Sequence, residues 1–127
     1  MEFTALSSFV NKEIVDAFKI VWDNLGAPGA WWTGSQRIAI ANKVRTSEPR
    51  PLWDRPPSID ELSDETDGVL TFFELGVVER VTVQPSSISL EIYERIVERM
   101  GEDKYAELAS VVSQVVPIDH LHDALGL

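Results

Sequence analysis

Apolar residues recur at helical spacing near the start of this 127-residue chain. In the segment FVNKEIVDAFKIVWDNLG they stand three or four residues apart, at Val10, Ile14, Phe18, Val21 and Leu25. This spacing predicts an α-helix with one apolar face. Ser8 is a candidate N-cap for this helix, and Gly26 is its candidate end.

Two further helices are predicted in the middle of the chain. The segment WWTGSQRIAIANKVR opens with Thr33 and Gln36 at the spacing of a capping box, in which each side chain bonds the other residue's backbone N–H. The segment GVLTFFELGVVERVTV is rich in β-branched residues, which favour a strand. A helix is preferred, because its larger apolar residues share one helical face, at Leu70, Phe73, Val77 and Val81. Gly76 within it indicates close packing against a neighbour.

The last third of the chain predicts two helices. Ser89 is the candidate N-cap of the first, whose apolar face consists of Tyr93, Ile96, Val97 and Met100, and Gly101 ends it. Glu91 and Arg95 are spaced as a helical ion pair. Pro117 falls inside the final helix, where the loss of one backbone hydrogen bond predicts a kink.

A proline-rich and acidic loop is expected at residues 46–66. Prolines lack an N–H and disfavour helix at the preceding residue, so residues 46–57 should be irregular. Ser58 and Glu61 have capping-box spacing and predict a short helix, while Trp53 is expected to pin the loop to the body. The pattern as a whole predicts an all-α fold in a single domain over residues 1–127.

Composition narrows the possible chemistry. Eleven Lys and Arg against 21 Asp and Glu give a net charge of −10, which disfavours nucleic acid and anionic lipid as partners. The sequence has neither an apolar run long enough to span a bilayer nor a signal-peptide pattern, so a cytoplasmic location is expected. It has no cysteine, which excludes disulfides, thiolate catalysis and Cys-ligated metals.

Three segments carry a resemblance to a known family. They are the helix entry WWTGSQRIAIANKVR, the stretch SLEIYERIVERMGEDKYAELASVVSQVV and the closing DALGL. Together they resemble bacterial proteins of the alkylhydroperoxidase D and carboxymuconolactone decarboxylase type, over nearly the whole chain. The resemblance implies a bundle of about five to six helices that assembles into homo-oligomers, to which the apolar FFELGVV segment would contribute.

Redox-active members of that family use a Cys-x-x-Cys pair with a nearby His and an upstream Glu. Counted from the Trp-Trp-Thr-Gly entry, the resemblance places the two Cys at Arg50 and Trp53, the His at Pro57 and the Glu at Ile38. None of the four is retained. Because the thiolate attacks the peroxide, thiol peroxidase activity is expected to be absent.

Tryptophans near a basic segment are the candidate ligand pocket. Trp31, Trp32 and Trp53 would line a site for a small apolar or aromatic acid, whose carboxylate Arg37 would bind. The alternative is structural: the tryptophans plug the core and Arg37 pairs with an acid. The basic residues between Arg37 and Arg55 likewise suggest an anion site or an ordinary solvated surface.

His120 and His122 are the only imidazoles. Two residues apart on a helix, they cannot both bind one metal ion, although Asp119 and Asp123 share a face. An exposed helix end is the preferred interpretation, with no metal and no cofactor.

Two functions follow from the sequence. The first is a non-redox module that binds a small molecule or a partner. The second is a cofactor-free enzyme resembling carboxymuconolactone decarboxylase, in which Arg37 holds a carboxylate and Glu48 or His120 transfers protons.

Overall fold

The structure, a computed structural model, describes residues 3–49, 56–66 and 68–127. Those residues form five α-helices: α1 at Lys12–Leu25, α2 at Gly34–Thr46, α3 at Phe72–Val83, α4 at Leu90–Met100 and α5 at Glu102–Ala124. Three short 3-10 turns lie at Leu6–Ser8, Ile59–Glu61 and Pro85–Ser87. The expected all-α architecture is therefore confirmed for the described part of the chain.

Helix α5 is the centre of the bundle, and each of the other four helices packs against it. Its 23 residues span about 34 Å at 1.5 Å per residue. It continues through Pro117, and the kink expected there stays a prediction. The largest helix–helix contact joins α5 to α2, and α3 packs on both.

Local signals set most helix ends. The Thr33–Gln36 capping box is present, Ser89 caps α4, and Gly101 separates α4 from α5. Gly101 has φ of 93°, a backbone conformation that favours glycine. The Leu62 side chain packs directly against Gly76, because a Cβ atom at this position would clash with it. The predicted close packing is therefore confirmed.

Two predicted caps are wrong. Helix α1 begins after Asn11, whose side chain accepts a hydrogen bond from the Glu13 N–H, because Ser8 already belongs to the preceding 3-10 turn. Ser58 precedes a 3-10 turn and makes no side-chain cap bond. One capping box was missed, since Thr71 and Glu74 bond each other's backbone N–H at the start of α3.

The core has two parts. The larger surrounds α2, α3 and α5 and includes Trp32, Ile40, Phe73, Val77 and Val115, all at most 3% exposed. The smaller joins Phe3, Leu6 and Val15 to Ile118.

The apolar face predicted for α1 is wrong in part. Ile14 is 45% exposed, and Val15 beside it is buried. Helix α1 packs against α2 and α5, and the residues that are buried are those on the side facing these two helices. None of the described helices is both long and apolar enough to cross a membrane.

Candidate functional site

The Trp-Trp-Thr-Gly entry to α2 is fastened to α5 by one carboxylate. Glu107 accepts hydrogen bonds from the backbone N–H groups of Trp31, at 3.2 Å, and Trp32, at 3.0 Å. The Trp32 indole donates to the Lys104 carbonyl at 2.8 Å, and its ring is 1% exposed. Trp31 is 54% exposed. Trp32 therefore serves as a core plug, whereas Trp31 faces solvent.

Arg37 also contacts Glu107, and we call Glu107 with Arg37 and the backbone of Trp31 and Trp32 the clamp. The Nη1 atom of Arg37 lies 3.5 Å from a Glu107 carboxylate oxygen, and the Nε of Arg37 donates to the Leu25 carbonyl at 3.1 Å. Both ionic side chains are less than one sixth exposed. Arg37 thus holds α1, α2 and α5 together. Trp53, the remaining pocket candidate, lies outside the described residues, as does Arg50.

A cleft separates His120 of α5 from the segment that follows α2. This cleft of about 200 Å³ is lined by His120, Asp119 and Asp123 from α5 and by Ser47 and Pro49. Glu48, which is exposed, lies between the last two along the chain. Val44 is the α2 residue of this lining nearest to Arg37 along the chain. It lies seven residues beyond Arg37, which is about 10 Å along the helix. The structure brings the Glu48 segment and His120 to one cleft, but does not bring Arg37 to it.

The exposed helix end predicted for the two histidines is wrong for His122, which is buried, whereas His120 is exposed. His122 is 9% exposed, its Nδ1 lies 2.8 Å from the Ile118 carbonyl, and its ring meets Phe3 edge-on. No group of three or more potential metal ligands occurs among the residues that the structure describes.

The larger cavity lies beside α3 and was not predicted. It has a volume of about 300 Å³. Helix α3 supplies one wall, α2 contributes one lysine, and the segment from Pro56 to Leu62 lies opposite. The described residues of its lining are Lys43, Pro56, Pro57, Leu62, Phe72, Leu75, Gly76, Glu79, Arg80, Val83 and Gln84.

The α3 sequence contained a signal for this wall. Leu70, Phe73 and Val77 are buried in the core as predicted, yet Phe72, Leu75 and Val83 are apolar as well and lie on the cavity side. A helix that is apolar nearly all round is covered on more than one side. That pattern indicates a second contact surface, although it does not indicate an open cavity.

Arg80 is the unusual residue of this cavity. It is 6% exposed, and its Nη2 donates to the Pro57 carbonyl at 3.3 Å. Its Nη1 is buried and has no hydrogen-bond partner among the residues that the structure describes. Burial lowers the pKa of the Arg80 guanidinium below its ordinary value, because desolvation disfavours the charged form. A buried donor without a hydrogen bond lowers the stability of the fold by roughly 1–3 kcal/mol. A hydrogen-bond acceptor placed beside Nη1 would therefore be favourable.

The wall opposite α3 is held by an arginine of α4. Arg99 donates to the carbonyls of Ile59, at 2.9 Å, and Leu62, at 3.0 Å, and to Asp64 at 2.7 Å. Its guanidinium also stacks 3.8 Å from the Phe73 ring centroid. These contacts hold the segment that carries Leu62 against α3 and α4.

Comparisons with protein-family models, curated proteins and solved structures found no significant match to this chain. The functional argument therefore rests on the geometry of the chain itself.

Proposed function

We propose that this chain is a non-redox, alkylhydroperoxidase D-like protein that acts as a small-molecule binding module, with its ligand in the cavity beside α3. The observation that carries the proposal is the cavity of about 300 Å³ with Phe72, Leu75 and Val83 in its walls. Ligand sites are concave, mostly apolar and furnished with a few polar groups, and this volume lies at the small end of their range.

Preorganisation supports the proposal. Arg99 bonds two carbonyls of the segment opposite α3, so the ligand would not have to order that wall on binding. Avoiding this cost raises affinity without any added contact. Pro57, which the resemblance places at the family's His, also borders the cavity.

Thiol peroxidase activity is outside this proposal. The chain contains no cysteine, and the thiolate is the group that attacks a peroxide in thiol enzymes. Hydroperoxide reduction by the purified protein at the rates of thiol enzymes would contradict the non-redox assignment.

A homo-oligomer is part of the proposal. Within FFELGVV, Phe73, Val77 and Val78 are buried inside the subunit, while Phe72 is 42% exposed. Phe72 lines the cavity and is also the aromatic residue of this segment whose exposed part could contact a second copy. Native mass spectrometry would report the subunit count and any retained small molecule together, and a monomer at micromolar concentration would contradict the oligomer.

The binding site can be tested with a matched pair of variants. Leu75→Trp adds a ring inside the cavity, whereas Ile20→Trp adds the same ring at a position on α1 that is 62% exposed and away from it. A fluorescent apolar probe should bind the wild type and Ile20→Trp with equal affinity, and Leu75→Trp at least tenfold more weakly. The proposal would be refuted if the wild type bound no apolar probe and native mass spectrometry showed no retained small molecule.

A second candidate function is a cofactor-free enzyme resembling carboxymuconolactone decarboxylase. The observation in its favour is the exposed His120 in a cleft with Asp119 and Asp123, where an imidazole can exchange protons with a bound acid or lactone. Turnover of lactone acids that is lost in His120→Gln, with an unchanged melting temperature, would support it. Equal turnover by the variant would exclude His120.

A further inference from the structure

We infer that the ligand of the cavity beside α3 is a small apolar monocarboxylic acid whose carboxylate binds Arg80, an inference that rests on the proposed binding function. Arg80 borders the cavity, and one of its terminal nitrogens is buried without an acceptor. Guanidinium groups present parallel donors that match the two oxygens of a carboxylate. A bound carboxylate would accept the hydrogen bond that Nη1 lacks.

The charge around the cavity indicates a monoanion. Among the lining residues that the structure describes, Lys43 and Arg80 contribute two positive charges and Glu79 contributes one negative charge. Glu79 is itself engaged in an interaction, and the three groups together leave one net positive charge. A single carboxylate balances this charge, whereas a phosphate dianion would exceed it. The net charge of −10 on the chain further disfavours a multiply charged anion.

The walls and the volume define the rest of the ligand. Phe72, Leu75 and Val83 stand on the α3 side, with Pro56 and Leu62 across from them. None of these side chains carries a hydrogen-bonding group, so the body of the ligand should be hydrocarbon. The cavity of about 300 Å³ lies at the small end of the range for ligand sites, so the acid should be small.

Octanoate and octanamide separate charge from shape. The two molecules have the same chain and nearly the same size, but only octanoate is an anion at neutral pH. Calorimetric titration of the full chain should show that octanoate binds at least tenfold more tightly than octanamide. Equal affinities would overturn the inference and leave the binding function in place.

Variants assign the preference to Arg80. Arg80→Met keeps a long side chain and removes the charge, and it should abolish the preference for octanoate over octanamide. Arg37→Met removes an arginine that is bonded to Glu107 instead, and it should keep the preference. Lys43→Gln, at the half-buried lysine of the lining, should weaken octanoate binding severalfold, which keeps the test decisive if Arg80→Met does not fold. A preference that survives Arg80→Met, or unchanged octanoate affinity in Lys43→Gln, would overturn the assignment.

Two further ligands complete the test. Octyl phosphate should bind more weakly than octanoate, and tighter binding would overturn the monoanion assignment. Binding of an apolar fluorescent probe without any binding of octanoate would overturn the inference alone. Absence of binding by the probe, octanoate and octanamide would refute the proposed function as well.

Discussion

Removing the Glu107 carboxylate tests the clamp between the α2 entry and α5. Glu107→Ala deletes the acceptor of the Trp31 and Trp32 N–H groups and leaves Arg37 without its ion pair. Hydrogen bonds to a charged group contribute roughly 1.5–3 kcal/mol each. Water can reach the partly exposed site and replace some of them, so the low end of that range applies.

The expected loss in the free energy of unfolding is about 3 kcal/mol, from two bonds at roughly 1.5 kcal/mol each. For a domain of this size, that loss lowers the melting temperature by about 10 °C. The assay is denaturant unfolding followed by circular dichroism, with thermal melting beside it. Glu98→Ala removes an exposed glutamate of α4 and is the matched control, with an expected change within about 0.5 kcal/mol.

A double-mutant cycle isolates the contribution of Arg37. Arg37→Ala also removes the bond to the Leu25 carbonyl, so it should be destabilising by itself. The coupling energy between Arg37→Ala and Glu107→Ala should exceed about 0.5 kcal/mol, since the two side chains are in contact. If Glu107→Ala lowered the free energy of unfolding no more than Glu98→Ala does, the stabilising role of the clamp would be refuted.

Two further predictions concern the α2 entry and the two tyrosines. Gly34→Ala should lower the free energy of unfolding by about 1 kcal/mol or more, although alanine favours helix, because the new Cβ would clash with the Gly26 carbonyl. Ser35→Ala, at an exposed position of the same helix, is the control. Equal stability of the two variants in urea unfolding would contradict the contact. Burial, and then the neighbouring Tyr93, raise the pKa of the Tyr105 phenol above its ordinary value. The unfolded chain therefore releases this proton at lower pH than the folded chain, so its contribution to stability is complete below about pH 10 and is lost above it. Tyr105→Phe should reduce the alkaline loss of stability measured by urea unfolding, and an unchanged pH dependence would contradict this explanation.

Signals confined to a few neighbouring residues were sufficient to predict much of the fold. The Thr33–Gln36 capping box and the Ser89 cap depend on bonds between residues three apart, so sequence alone specifies them. Ser8 and Ser58 carry similar signals and yet do not cap an α-helix. At both places the chain forms a 3-10 turn, and one residue of each turn, Leu6 or Ile59, is buried in the core.

The candidate site was predictable only in part. Tryptophan and arginine near the α2 entry indicated a pocket or a plug, and the acid that decides between these roles for Arg37 is seventy residues away, at Glu107. The cavity beside α3 depends on Arg80 reaching Pro57, twenty-three residues earlier in the chain. No periodic pattern specifies such pairs.

The sequence by itself determined the all-α class, through periodicity and capping, and the absence of thiol chemistry, through the absence of cysteine. Only the tertiary structure decided which charged groups are satisfied. Arg37 and Arg80 are the same residue type on neighbouring helices, but Arg37 meets a carboxylate while Arg80 is buried with one nitrogen unpaired. The physical reason is that helix periodicity is a local property, whereas the burial and pairing of a charge depend on how distant helices pack together.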